Sequence, residues 1–445
     1  MRASLRRTLA AAGVAVTATA VLAATPGAAL AGPEPTARPT VEVEIPGPEG
    51  GTQAGSGHIE VPAGGRAGAL SAPLSAADRA ADGKVTKIVD NGRTGDRLDV
   101  VVVGDGYKAS QLGSFHAAAK AKWAALLKVE PYKTYQKLFN VWTVDAVSNQ
   151  SGVSGDPTKG VHRDTALGSY FWCEKTERLL CIDQTKVDKY VAKAPAADLV
   201  LVLANSSKYG GAGYNQPNPK LGYEGISTAS ANNEDSEQVA IHETGHSLGK
   251  LADEYDYPYD TYTGPEAWES NISIYTAARL KDRRAKWYRW IGEKSPDGGK
   301  VGAFEGAGYY TKGLYRPTEN SLMRILGVPF NLPGVESMIA GFYRHARIAT
   351  AVTPTGTTLR TGKSAKLTVP HLVTSSGRKL TVRWYLDGKA VRSLDGKTSV
   401  SVSSLHLSDA LTHKLTVTVT DPTRSVRDPK IAATLKDSVH WKVRR

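Results

Sequence analysis

The sequence predicts a layered α/β domain followed by a small all-β, immunoglobulin-like sandwich. Three observations carry this. Between residues 85 and 348, β-branched apolar runs alternate with stretches of helical composition, the pattern of a sheet covered by helices. From residue 350 onward, short period-2 segments separated by Ser, Gly and Asp turns take over. The charge divides at the same place: Thr350–Arg445 holds 17 Lys and Arg against 6 Asp and no Glu, net +11, whereas residues 32–349 sum to about −1.

The whole chain has 445 residues and a net charge of +13. That length accommodates two or three domains with a real core. At 22% charged and 41% hydrophobic residues, wholesale disorder is excluded. Two cysteines are too few for a disulfide scaffold or an all-cysteine metal site. Arg2, Arg6 and Arg7, the apolar run Leu9–Ala24 and the Ala29-Leu30-Ala31 cleavage site make residues 1–31 a secretory signal peptide. No second apolar run is long enough for a transmembrane anchor. The expectation is a secreted, extracellular protein whose mature chain carries +10.

Residues 32–84, rich in Pro, Gly, Ala and Ser, read as a linker or pro-segment, with order beginning near Val85. Leu98–Val103 (LDVVVV) is a continuous β-branched run, as expected of a buried central strand. A helix is expected over Ser114–Val129, and strands over Phe139–Val147 and Asp198–Leu203, the last entering the glycine-rich Tyr209–Tyr214. In the basic domain, 350–445, strands are expected at Lys366–Val369, Leu380–Leu386, Ser399–Val402 and Lys414–Thr420. Asp387-Gly388 and Asp395-Gly396 supply turns, and Trp384 the core anchor.

The chemistry concentrates in His242-Glu243-Thr-Gly-His246. Two histidines four apart on a helix stack on one face, so both imidazoles reach one metal ion. Glu243, offset by about 100°, leans over the open coordination position, where it can take a proton from a zinc-bound water and return it to a leaving amine. One catalytic Zn2+ is the natural ion for such a set. With ten histidines in the chain, chance gives this pattern in about one such sequence per hundred. Asp235-x-x-Gln238 resembles a capping box at the helix start, and Gly249 stands where the helix must turn. A third ligand is due a few residues later. In the common metzincin spacing it falls at Ala252, which has no ligating atom, leaving Asp253 and Glu254.

HETGHSLGKLADEY resembles the active-site helix of the IgA peptidase family of secreted zinc metallopeptidases. LDVVVVGDGYKASQLGSFHAAA, FNVWTVDAVSNQSGVS, LANSSKYGG and YRPTENSLMR are similar to further segments of that family in the same order, covering about residues 85–345. The resemblance implies a metzincin-like catalytic domain, zinc and endopeptidase activity. It implies His242 and His246 as ligands, Asp253 as the third, Glu243 as general base, and Met323 as a Met-turn beneath the imidazoles.

Other features are assigned modest roles. Cys173 and Cys181 are expected to form a disulfide. The glycines of YGGAGY lack the Gly-Lys-Ser/Thr of a phosphate loop. Tyr309, Tyr310 and Tyr315 read as packing residues, and the basic-aromatic stretch 279–290 as a solvated helix face. The expected partner is a protein or peptide substrate, pairing with an edge strand within Tyr223–Ser230. The basic domain suits a polyanionic cell-surface polymer; no nucleic acid partner is expected. The rival readings are an inert adhesion protein on a metallopeptidase scaffold, or a zinc amidase acting on cell-wall peptides.

Overall fold

The computed structural model describes residues 39–50, 54–66, 72–374 and 377–445, within one compact unit, Arg38–Arg445. The signal peptide expected over residues 1–31 lies outside the described residues. Among the described residues, no helix is long and apolar enough to cross a membrane.

The architecture is mixed α/β, with several sheets. The largest sheet has eight strands: β1 (Thr40–Pro46), β2 (Gly55–Pro62), β3 (Val85–Val89), β4 (Leu98–Asp105), β5 (Phe139–Val144), β6 (Leu199–Ala204), β7 (Gly211–Tyr214) and β8 (Ile226–Ser230). Their spatial order is β2-β1-β7-β8-β6-β4-β5-β3. Strands β5, β4, β6 and β8 run parallel, and the flanking strands join antiparallel. A parallel centre needs cover on both faces, which is why Val100–Val103 is apolar without interruption. Val100 and Val102 face one core with Phe115 and Trp123 of helix Leu112–Leu126, Ile241 of helix Asp235–Ser247 and Phe342 of helix Leu332–His345. Val101 and Val103 face the other, with Val187 and Val191 of helix Gln184–Val191 and the cysteine loop. The Cys173–Cys181 disulfide is present.

A second sheet, in the order β10-β11-β9, consists of β9 (Asp256–Thr261), β10 (Phe304–Ala307) and β11 (Tyr309–Arg316). The C-terminal region forms a three-stranded and a five-stranded sheet. Trp384 is fully buried, stacked on Trp441 of strand Lys436–Arg444 at 5.9 Å. Asp387 and Gly388, both at positive φ, turn the chain between Leu386 and Lys389 as their sequence demands. Asp421 accepts hydrogen bonds from Tyr135 and Tyr343, tying these sheets to the α/β part.

Three expectations are corrected. Order does not begin near Val85: Thr40–Pro46 and Gly55–Pro62 form a hairpin on the main sheet, because VEVEI alternates with period 2 inside a Pro/Gly-rich composition that masks it. Ile226–Ser230 is not an edge strand; β7 covers it, and β1 covers β7. In 279–290 the helix is short, Ala277–Arg283, and Trp287 and Trp290 are buried with Leu280 and Val301 rather than solvated.

Candidate metal centre

Helix Asp235–Ser247 is held at its start by side chains. Asn233 Oδ1 accepts the Ser236 N–H at 3.0 Å, and the Ser236 hydroxyl donates to Gly210 O at 2.9 Å, binding the helix to the chain entering β7. The expected Asp235–Gln238 capping box does not form: Asp235 lies within the first turn, and Gln238 Oε1 accepts from the Gly327 N–H. The carboxamide of Asn233 reaches the free N–H groups from a position before the helix, which Asp235 has already passed.

One turn apart, the His242 and His246 rings meet edge to face at 4.8 Å. Their Nδ1 atoms are anchored on backbone carbonyls, His242 on Leu322 O at 3.0 Å and His246 on Leu251 O at 2.7 Å. Both Nε2 atoms therefore point inward, 3.1 Å apart. The second anchor depends on Gly249. A Cβ there would lie 2.6 Å from Gly245 O and 2.7 Å from Met338 Sδ, so only glycine lets the chain fold back, through Lys250 at φ 52°.

The returning chain delivers Asp253 Oδ1 to 3.3 Å from both Nε2 atoms. Glu254 points the other way, fully buried, accepting from Asn271, Ser321 and Asn331 at 2.7–3.1 Å. Its own N–H donates to Met323 O. Met323 underlies the histidine helix: a Cβ on Gly245 would meet its Sδ.

The fourth member comes from β1. Glu44, fully buried, sets Oε1 3.1 Å from His242 Nε2 and Oε2 2.8 Å from His246 Nε2. The ligand atoms of Glu44, His242, His246 and Asp253 all lie within 4.8 Å of one another. Sequence reasoning missed Glu44, 198 positions from His242. The available signal was an acid inside the alternating VEVEI.

This donor set fits a metal ion. Donors about 2.0–2.1 Å from a tetrahedral ion stand about 3.3 Å apart, and the two imidazole nitrogens approach each other and both carboxylates at 2.8–3.3 Å. Glu44 Oε2 and Asp253 Oδ1 are buried and accept no properly aligned hydrogen bond despite these close nitrogens: the atoms converge on a shared point. Burial disfavours charge throughout, but the opposed charges prevail. Glu44 and Asp253 push His242 up to about 10 and raise His246, while the imidazoles hold Glu44 well below the usual carboxylate range and lower Asp253. The imidazole protons thus stand where a cation would.

Glu243 is buried beside the cluster. Its Oε2 accepts from Asn215 at 2.9 Å, and its Oε1 has no partner. Burial, then the Glu44 charge, pushes its carboxyl up to about 8. Gly213 of β7 lies against it, with no room for a side chain. Tyr309 is more than a packing residue, since its hydroxyl donates to Asp253 Oδ2; Tyr310 lines the adjoining cavity, and Tyr315 pairs through its backbone with Ser273. The cavity, about 880 Å³, opens from His246 and Asp253 past Lys250, Tyr262 and Trp268.

The sequence model of one family, described as IgA Peptidase M64, matches residues 86–299 and 293–342, more than half of the chain. The chain belongs to that family. As an M64 family member it is a peptidase, and the cluster lies at the heart of the matched region except for Glu44, which precedes it. No match was found among curated proteins.

Proposed function

We propose that this M64 peptidase is a secreted, zinc-dependent metalloendopeptidase acting on protein substrates. In this reading a metzincin-like catalytic domain spans residues 85–348, behind a signal peptide at 1–31 and ahead of an immunoglobulin-like basic domain at 350–445. The carrying observation is the approach of His242 Nε2, His246 Nε2 and Asp253 Oδ1 to one point beside Glu243. His242, His246 and Asp253 would hold the ion. Zinc bound there supplies Lewis-acid charge that polarises a carbonyl and acidifies water.

The remaining steps belong to the chain's own residues. Glu243, buried beside the histidines with Oε1 unpartnered, is the carboxyl group placed to exchange protons there. It accepts a proton from the attacking water and delivers it to the departing amine nitrogen. Asn215, held by the Ser247 hydroxyl at 3.0 Å, orients that carboxylate. Leu322 O and Leu251 O keep the Nδ1–H tautomers that leave both Nε2 atoms free.

The test is hydrolysis of a proteome-derived peptide mixture by the full chain, in wild-type and Glu44→Ala forms, with and without a chelator, each beside its Glu243→Ala counterpart. Chelation should abolish cleavage and zinc restore it. Glu243→Ala should keep zinc and lose about 10²–10⁴-fold in turnover. Turnover above about a tenth of wild type in that variant removes the assigned role. The +11 of Thr350–Arg445 supports retention on anionic polymers; binding to a polyphosphate resin that does not weaken as salt rises would remove that part.

A further inference from the structure

The β1–β2 hairpin brings a charged residue to the metal centre from outside the family-matched region. Its two strands pair with each other along nearly their whole length, Thr40 with Pro62 through Glu44 with His58, then Pro46 with Gly55. Against the main sheet only Glu44 is in register, opposite Gly213 of β7. The hairpin is thus a self-contained unit with a narrow seam to the rest.

That seam converges on the site. The pairing shifts register beside Glu44, three residue steps along β2 (Gly55 to His58) spanning two along β1 (Pro46 to Glu44). Gly55 on β2 leaves the space Glu44 needs: a Cβ there would lie 2.2 Å from Glu44 Oε1 and 2.4 Å from the Tyr255 hydroxyl. Tyr255 donates to the same Oε1 at 3.2 Å. Arg178 clamps both strands, with Nε on Pro46 O at 2.6 Å and Nη2 on Ser56 Oγ at 2.7 Å. Tyr209 donates to Gly47 O, and the Ala54 N–H to Arg324 O.

The consequence is a closed site. A catalytic zinc site keeps three protein ligands and one open position for water or substrate. Here Glu44 supplies a fourth donor, and Glu44, His242 and Glu243 are all at 0% exposure. Strand β1 also takes the outer side of β7, where an extended peptide could otherwise pair. With this strand in place Glu243 is buried and does not line the cavity that opens at His246 and Asp253.

From these observations we infer that the β1–β2 hairpin is an autoinhibitory plug, in which Glu44 fills the ligand position that substrate requires and the chain is latent until the hairpin is displaced. The inference rests on the metallopeptidase reading. The seam has a single strand pair, Glu44 with Gly213, a bridge from Gly64 to Asp183, a set of polar contacts, and Val43 and Val61 buried with Val41, Ile45 and Ile59 around them, so displacement requires no unravelling of the main sheet.

The test uses the full chain loaded with Co2+ and titrated with acetohydroxamate, a small metal-chelating probe. Readouts are the visible cobalt spectrum and the hydroxamate dissociation constant. Glu44→Ala should keep the ion, change the spectrum and bind acetohydroxamate at least about tenfold more tightly, as when a closed state populated above about nine-tenths is removed. Arg178→Ala, remote from the ligands, should shift both readouts in the same direction by loosening the clamp. Equal affinity in wild type and both variants overturns the inference. So does loss of cobalt from Glu44→Ala, which would make Glu44 a permanent ligand. A site opened as described in which no variant cleaves any peptide instead overturns the peptidase chemistry and leaves the closure standing.

Discussion

Gly213 offers a sharp test of how Glu243 is positioned. It sits in β7 at an ordinary extended φ, so alanine costs the backbone nothing there. The cost lies in space. A Cβ on Gly213 would stand 1.7 Å from Glu243 Oε2, 2.3 Å from its Cδ and 2.8 Å from Asn215 Nδ2. Ordinary contact begins near 3.4 Å, so the carboxylate must withdraw by roughly 1.5 Å and lose its bond to Asn215. Misplacing a catalytic group by about 1 Å costs about 10²-fold, and complete loss of a general base about 10²–10⁴-fold. Gly213→Ala should therefore lower kcat by about 10²-fold or more, with zinc stoichiometry unchanged because neither imidazole is touched. The assay compares kcat and bound zinc in the wild-type and Glu44→Ala backgrounds, so that latency does not hide the effect. A kcat within about threefold of the parent in both, or loss of the metal, refutes the assigned geometry.

Further outcomes follow from neighbouring contacts. Asp253→Ala should lose zinc affinity, whereas Glu254→Gln should keep the metal and lower Tm, since Glu254 serves Asn271, Ser321 and Asn331; zinc titration of both variants decides, and the reverse pattern moves the ligand one residue along. His345 lies between Asp198 at 2.9 Å and Glu224 at 3.0 Å; burial lowers it, but those bonds win and push it up to about 9, while Glu224 is held down to about 2 chiefly by His345. A raised histidine stabilises fully below its unfolded value near 6.5 and loses that contribution as pH rises through 9. Urea unfolding should thus show stability falling by on the order of 3 kcal/mol between about pH 6.5 and 9.5, a slope that His345→Gln removes. Trp384→Ala, emptying the stack on Trp441, should cost about 3–5 kcal/mol by the same measurement; a loss under about 1 kcal/mol refutes its anchoring role.

Much of this protein is written in local spacing. His242 and His246 declare a shared helix face because 3.6 residues per turn brings positions four apart together wherever the helix lies. Uninterrupted Val in β4 declares burial on both faces, and Asp387-Gly388 a hairpin turn, because each depends only on its immediate neighbours. Even the hairpin's alternation is visible in VEVEI once composition is set aside. Other features depend on contacts between distant parts of the chain. Whether Asp253 or Glu254 faces the histidines is decided by Asn271, Ser321 and Asn331, which capture one carboxylate and leave the other. Ile226–Ser230 becomes internal only because β7 and then β1 add beyond it. Glu44 reaches His242 across 198 positions through space left by a glycine on the partner strand. Periodicity sets the direction of a side chain relative to its own element; only the packing of one element on another determines what that side chain meets.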